Sequence, residues 1–188
     1  MRMPVLFVGH GSPMTLEQPQ RLAEWQRWGE TLPRPKAILM LSAHWETRPL
    51  MLGATTTLPL IYDFYGFPAE YYQLSYAAPG APELAARVRR LLAGADVSFA
   101  ERPERGWDHG AWIPLLGLYS QADIPLLQIS LPSGDEQELM RLGATLAPLR
   151  DEGVLIITSG LLTHNLREWT PEGVVAQWAR EFDLWLAD

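Results

Sequence analysis

Short apolar runs alternate along the chain with segments in which apolar residues recur at helical spacing. Each run is five or six residues long and ends near a polar or glycine-containing turn, which is the pattern of a buried β-strand. Because the runs contain few polar residues, they indicate parallel strands that are covered on both faces. The predicted strands are Pro4–Val8, Ala37–Ser42, Pro125–Ser130 and Val154–Thr158.

The segments between these runs have the periodicity of amphipathic helices. Pro82 and Pro171 stand at first-turn positions, where proline is tolerated, and Gly94 follows one segment as a stop signal. The predicted helices are Gln20–Thr31, Pro82–Ala93, Glu136–Leu149 and Pro171–Leu186. The alternation predicts a single α/β domain over residues 1–188, with a largely parallel central sheet flanked by helices.

One long stretch, from Leu58 to Pro82, interrupts the alternation. It is rich in aromatic and turn residues, most densely in Ile61–Pro68. Long ordered loops in compact domains often carry function. We therefore predict that this stretch forms a lid or the wall of a pocket.

The composition narrows the range of functions. The chain has 15 Lys and Arg against 22 Asp and Glu, so its net charge of -7 gives no reason to expect binding to nucleic acid. It has no cysteine, so a metal site must use His, Asp, Glu or backbone oxygen. No apolar stretch approaches membrane-spanning length, and the first residues lack the features of a signal peptide. We expect a cytoplasmic protein without a membrane or nucleic-acid partner.

The four histidines are the most informative residues, and all four are predicted to lie in loops. His10, His44 and His164 each follow a predicted strand, while His109 lies in the segment Gly106–Trp112. The carboxyl ends of parallel strands share one edge of the sheet, where ligands bind, so these side chains are expected to converge. Neutral imidazoles gathered in this way suit a divalent iron, zinc, copper or nickel ion.

Other side chains near the histidines have candidate roles. Asp108 or Glu46 would add a carboxylate ligand or orient an imidazole ring. A hydrolytic pair of Ser12 or Ser159 with a histidine stays open, although the spacing matches neither a nucleophile elbow nor a phosphate loop.

The tryptophans fall into two groups. Those at helical spacing are predicted to lie in the core, and those beside the histidines are predicted to line a pocket. The first group is Trp25, Trp28, Trp178 and Trp185, and the second is Trp45, Trp107 and Trp112.

Five short motifs occur in a fixed order along the chain. They read GHGSP from Gly9, SAHW from Ser42, YDFYGFP from Tyr62, WDHGAW from Trp107 followed by Pro114 and Leu115, and SG from Ser159 followed by His164 and Asn165. Each motif is weak alone, but the ordered set is specific. From Pro4 to about Trp185 the chain resembles the class III extradiol ring-cleavage dioxygenases, and most closely their 4,5-DOPA dioxygenase extradiol subgroup.

The resemblance implies a non-haem iron(II) enzyme that binds a catechol and dioxygen and cleaves the aromatic ring beside the diol. It assigns His10 and His44 as metal ligands, His164 as both a metal ligand and an acid–base residue, and His109 as a pocket residue that assists proton transfer. Zinc stands high in the affinity order of divalent metals and competes for such a site. The family also implies a further C-terminal segment that supplies another metal ligand, a histidine in this subgroup.

Two other functions are consistent with the same residues. A zinc-dependent hydrolase would use metal-bound water as its nucleophile and would need no oxygen. A non-catalytic metal-binding domain would hold a metal without turnover. Oxygen consumption separates the dioxygenase from both.

Overall fold

The computed structural model of the protein describes residues 2–132, 135–168 and 174–187. Within them the chain forms six strands and five α-helices. The strands are β1 (Val5–Gly9), β2 (Ala37–Glu46), β3 (Leu50–Leu52), β4 (Phe99–Glu101), β5 (Leu126–Leu131) and β6 (Val154–Gly160). The helices are α1 (Pro19–Thr31), α2 (Pro82–Gly94), α3 (His109–Leu118), α4 (Glu136–Leu146) and α5 (Gln177–Ala187).

The six strands form one sheet in the order β1-β6-β2-β5-β3-β4. Every pairing is parallel except that of β3 with β5, which is antiparallel through Leu52 and Ile129. The predicted α/β fold with a largely parallel sheet is therefore confirmed. None of the helices in these ranges is long and apolar enough to cross a lipid bilayer.

The two faces of the sheet pack against different helices, because successive side chains of a strand point to opposite sides. One face packs against α1 and α3, and the other packs against α2 and α4. The first core includes Ile38, Met40, Leu155 and Ile157 with Trp25 and Trp112. The second includes Leu39, Leu41 and Ile156 with Val88 and Leu142. Both faces of the central strands are covered, as their uninterrupted apolar sequences require.

The four predicted strands and three of the predicted helices are present with small shifts at their ends. The predicted helix Glu136–Leu149 stops at Leu146, and a 3-10 turn at Ala147–Glu152 follows, since Pro148 lacks the N–H that an α-helix needs. The start predicted at Pro171 lies outside the described residues, and the described helix begins at Gln177. The prediction that all four histidines lie in loops is wrong for His44, which is within β2, and for His109, which begins α3.

The tryptophans also depart from their predicted positions. Trp25 is buried as expected, but Trp185 is 69% exposed and does not belong to the core. Trp107 and Trp112, predicted to line a pocket, are instead fully buried core residues. Helical spacing and proximity to a histidine are therefore both weak guides to where a tryptophan packs in this chain.

Candidate metal centre

The register of three adjacent strands places two histidines at the same level. Ser159, near the end of β6, pairs with Val8 of β1 on one side and with Ser42 of β2 on the other. His10 and His44 each lie two residues beyond those partners, so both side chains return to the face covered by α3. The parallel arrangement thus brings together residues that are 34 positions apart in the sequence.

The first turn of α3 adds a third histidine, His109. A glycine follows it because the helix packs very closely against β2. A Cβ atom at Gly110 would overlap the Oγ atom of Ser42 and would lie 3.0 Å from Cδ2 of His44. The small residue therefore lets the helix start approach the strand and bring His109 to the pair.

His10, His44 and His109 form what we call the three-histidine centre. Their ligand nitrogens lie within 4.8 Å of one another. The Nε2 atoms of His10 and His44 are 3.0 Å apart, and the rings of His44 and His109 are 4.0 Å apart between centroids. His10 and His109 are buried, whereas 27% of the His44 side chain is exposed. The centre is therefore enclosed on the protein side and reaches solvent at His44.

The proton on His10 can be placed from its hydrogen bonds. Oγ of Ser159 lies 2.9 Å from Nδ1 of His10 and donates its single proton to the carbonyl oxygen of Gly110 at 2.5 Å. A carbonyl oxygen only accepts, so the Ser159 hydroxyl must accept a proton from Nδ1 of His10. The Nε2 atom of His10 then carries a lone pair that faces His44.

The Asp63 carboxylate faces the Nδ1 atoms of the other two histidines, as Ser159 faces Nδ1 of His10. Its Oδ1 atom accepts from Nδ1 of His109 at 2.7 Å and from the His109 backbone N–H at 3.0 Å. Its Oδ2 atom lies 3.3 Å from Nδ1 of His44. A bare Nδ1 lone pair facing a carboxylate would be repelled, so both rings favour the proton on Nδ1 and a lone pair on Nε2.

The residues present fit a divalent metal ion. Two nitrogens bound to one metal at about 2.0–2.1 Å, with an angle of about 90–110° between them, lie about 2.9–3.4 Å apart. The 3.0 Å separation of the Nε2 atoms of His10 and His44 is within this range. Two imidazole lone pairs that close repel each other unless a cation lies between them. Outward hydrogen bonds from ligating histidines are also typical of metal sites.

The electrostatics of the centre keep the imidazoles of His10 and His44 neutral. Burial, together with the neighbouring His109 and His44, lowers the pKa of His10 from 6.5 to about 3. Burial and His109 also lower the pKa of His44. Burial by itself would raise the pKa of Asp63, but its hydrogen bonds from His109 lower it to about 2. Near neutral pH, His10 and His44 are therefore uncharged imidazoles beside an ionised carboxylate, which is the state that metal ligation requires.

His164 lies apart from this centre. It is exposed, in the segment after β6, beside a cavity of about 260 Å³ that is also lined by Asn165 and Trp178. It is close enough for its charge to lower the pKa values of His10 and His44. Among the described residues, however, no hydrogen bond or ring contact joins it to them. Its role as a metal ligand stays a prediction.

Neither Asp108 nor Glu46 belongs to the described cluster of potential metal ligands, which consists of His10, His44 and His109. Glu46 is exposed at the end of β2. Asp108 is completely buried, and its Oδ2 atom accepts from Nε2 of Gln128 at 2.6 Å and from a guanidinium nitrogen of Arg105 at 3.0 Å. The Arg105 guanidinium in turn lies 4.5 Å from the ring of Trp45. This ion pair, between a half-buried arginine and a buried carboxylate, anchors the residue immediately before His109.

Of the two serines that the sequence leaves open as hydrolytic nucleophiles, Ser12 and Ser159, the structure excludes Ser159. Ser159 does contact His10, but it is 3% exposed and its proton is committed to the Gly110 carbonyl. An attacking hydroxyl needs access to substrate and a base that takes its proton. Ser159 has neither, so its contact with His10 orients the ring.

Part of the long loop lies against the centre. The ring of Phe64 meets His109 edge-on at 5.5 Å, and Tyr62 and Trp112 pack behind it. Phe64 is buried, and Tyr62 donates its hydroxyl proton to the Leu74 carbonyl. The loop thus holds an ordered aromatic layer beside His109, and the same loop supplies Asp63.

The sequence model of the family described as the catalytic LigB subunit of aromatic ring-opening dioxygenase matches residues 5–188. The chain belongs to this family. Two relatives, both called 4,5-DOPA dioxygenase extradiol, come from a bacterium and a plant. The Escherichia coli K12 protein is 45% identical over 186 residues, which are 97% of this chain and 68% of the relative. The Beta vulgaris protein is 46% identical over 187 residues, which are 96% of this chain and 70% of the relative.

A solved structure has the same LigB-family fold. The crystal structure of an uncharacterized protein from Escherichia coli K12 superposes with a TM-score of 0.81 at 39% sequence identity. The match covers 99% of this chain and 72% of the other. The family resemblance that the five motifs predict is therefore confirmed by both sequence and structure.

The metal-free LigB-family chain is expected to lose stability as the pH falls from about 6.5 towards 3. The unfolded chain takes up protons at its histidines below pH 6.5, whereas folded His10, with a pKa of about 3, does not. Each such group lowers the free energy of unfolding by up to about 1.4 kcal/mol per pH unit in that window. The lowered pKa of Asp63 acts in the same direction below about pH 3.8.

Urea unfolding of the metal-free protein at several pH values measures this slope. His10→Gln, which cannot titrate, should flatten it. A free energy of unfolding that does not change between about pH 7 and pH 4 would contradict the neutral, buried state of His10.

Proposed function

We propose that this chain is an iron(II)-dependent extradiol dioxygenase that opens the ring of a catechol, with a DOPA-like molecule as the substrate class. The observation that carries the proposal is the three-histidine centre, whose Nδ1 atoms face hydrogen-bond acceptors and whose Nε2 lone pairs are left for a metal, at His10 and His44, and for a substrate proton, at His109. The centre lies in a LigB-family chain whose relatives are called 4,5-DOPA dioxygenase extradiol. Zinc is the expected competitor for the same nitrogens.

His10 and His44 are the residues that hold the metal. Their Nε2 atoms have the spacing of two ligands, and Ser159 and Asp63 hold the rings in place from behind. When bound, iron(II) would supply the positive charge that acidifies a catechol hydroxyl and a redox-active centre through which the catechol's electrons reach dioxygen.

His109 is the residue that moves a proton. Its Nδ1 proton is donated to Asp63, so Nε2 is free to accept the proton of a catechol hydroxyl. The imidazolium that forms is stabilised by the Asp63 carboxylate, as an orienting carboxylate does for a catalytic histidine elsewhere. Burial of His109 excludes bulk water from this transfer.

The substrate ring approaches from the side where His44 is exposed. Phe64 and Tyr62 form the aromatic layer beside His109 and suit a planar ring. Hydrogen bonds and ring contacts hold that layer in place, so it offers the substrate a preformed surface.

Variants of the two remaining histidines separate metal binding from proton transfer. His109→Ala should lower turnover by about 10²–10⁴-fold, as expected for a general acid–base residue. The exposed position of His164 outside the centre favours an acid–base role over ligation. We therefore expect His164→Ala to reduce turnover while keeping its metal.

The metal content of dialysed His109→Ala and His164→Ala is measured and compared with that of the wild type. A His164→Ala protein that loses its metal would contradict this expectation and support His164 as a ligand.

Anaerobic loading with iron(II), followed by oxygen and a panel of catechols, tests the function. The expected result is a yellow ring-opened product formed with matching oxygen consumption. The zinc-loaded protein is the control and should show neither, since zinc has no redox chemistry. Turnover by the zinc form without oxygen would support a hydrolase, and bound iron without any ring opening would overturn the proposal.

A further inference from the structure

We infer that Asp63 is a positioning residue that fixes the tautomers of His44 and His109, so that His44 presents an unprotonated Nε2 atom to the metal and His109 presents one to the substrate. This inference rests on the proposed metal site and deepens it. The sequence alone assigns no chemical role to Asp63, since this residue lies among aromatic residues and is distant in sequence from every histidine. Only the fold brings it to the centre.

The carboxylate has one oxygen for each histidine. Oδ1 is 2.7 Å from Nδ1 of His109, and Oδ2 is 3.3 Å from Nδ1 of His44. An ionised carboxylate has no proton to donate, so each facing nitrogen is the one that carries the hydrogen. One side chain therefore sets the tautomer of two imidazoles whose rings are only 4.0 Å apart.

The same carboxylate also has a purely structural contact. Its Oδ1 atom accepts from the His109 backbone N–H at 3.0 Å, at the start of α3. A loss of stability on substitution would therefore not by itself support the inference. The test needs a readout that follows the imidazole protons rather than the helix.

Asp63→Asn keeps the size of the side chain but replaces one oxygen with an NH₂ group. That group donates, so the Nδ1 atom facing it must accept and its ring must move the proton to Nε2. An Nε2–H cannot ligate a metal. The variant should thus lose one inward lone pair while the fold is kept.

Long-range ¹H–¹⁵N NMR of the metal-free protein reads the tautomers directly. The chain has only four histidines, so single His→Gln variants assign the signals. In the wild type we expect His44 and His109 as Nδ1–H tautomers, and in Asp63→Asn we expect at least one of them as Nε2–H. The inference is overturned if either ring is Nε2–H in the wild type, or if neither ring changes in the variant.

Titration with cobalt(II), followed by its visible absorption, gives a second measurement. Asp63→Asn should bind cobalt about 10–100-fold more weakly, as other outer-shell substitutions do. Asp63→Glu, which restores a carboxylate, should regain part of the affinity. Asp151→Asn is the matched control, since the Asp151 side chain is 61% exposed and pairs with Arg2 at 3.8 Å on the surface, and it should bind cobalt as the wild type does.

The outcomes separate this inference from the proposed function. Tautomers and cobalt affinity are measured without catechol or oxygen, so an inactive protein with the expected tautomers would refute only the dioxygenase. An active dioxygenase whose tautomers and cobalt affinity are unchanged in Asp63→Asn would refute only the role of Asp63.

Discussion

His10→Ala and His44→Ala should each lose the bound metal and lower ring-opening turnover by about a thousandfold or more, which corresponds to about 4 kcal/mol of barrier. Each substitution removes one of the two Nε2 atoms that lie 3.0 Å apart. Metal content after dialysis and oxygen consumption with iron measure the two losses.

Chemical rescue provides the control for these variants. His44 is 27% exposed, so added imidazole can enter the space left by His44→Ala and should restore part of the metal binding. His10 is 3% exposed, and His10→Ala should respond much less. If either variant keeps its metal and its turnover, the residue is not a ligand.

Arg105→Met should destabilise the metal-free protein by about 3–5 kcal/mol, because it leaves the Asp108 carboxylate buried without its counter-charge. Asp108 has no exposed surface, and among the described residues its remaining side-chain partner would be Gln128. Methionine is similar in length but uncharged, so it also removes the guanidinium that lies 4.5 Å from the ring centroid of Trp45. The free energy of unfolding in urea measures the effect.

A double variant distinguishes lost charge from lost packing. Arg105→Met with Asp108→Asn removes both charges, so it should be at least about 1 kcal/mol more stable than the sum of the two single effects predicts. Strict additivity of the two single substitutions would mean that the ion pair does not stabilise the start of α3.

The sequence predicts the central strands well because their burial on both faces leaves a clear apolar pattern. β3 and β4 escape prediction, since each has only three residues and no room for a pattern. Helix α3 is not predicted from the sequence for another reason. It is buried on nearly all sides and contains Pro114, so it lacks the polar face that reveals an amphipathic helix.

The site is predictable only in part, because some of its residues follow from the order of the strands and others depend on how a loop folds. His10 and His44 follow from strand ends, because parallel strands bring those ends together whatever their order. Asp63 does not, since its contact with His109 spans 46 residues and depends on how one loop folds. The aromatic segment around Asp63 indicates an ordered loop. A single carboxylate within that segment was the one sequence feature that could have pointed to Asp63 as a site residue.

The most direct test of the central claim is a single turnover with ¹⁸O₂ on the iron-loaded protein, with a catechol present and the product reduced at once with borohydride to prevent exchange with water. If His10 and His44 hold an iron that opens the ring with dioxygen, both labelled oxygen atoms appear in the ring-opened product, and the His44→Ala protein forms none. A product that takes its oxygen from water, or ring opening that survives in His44→Ala, would contradict the account.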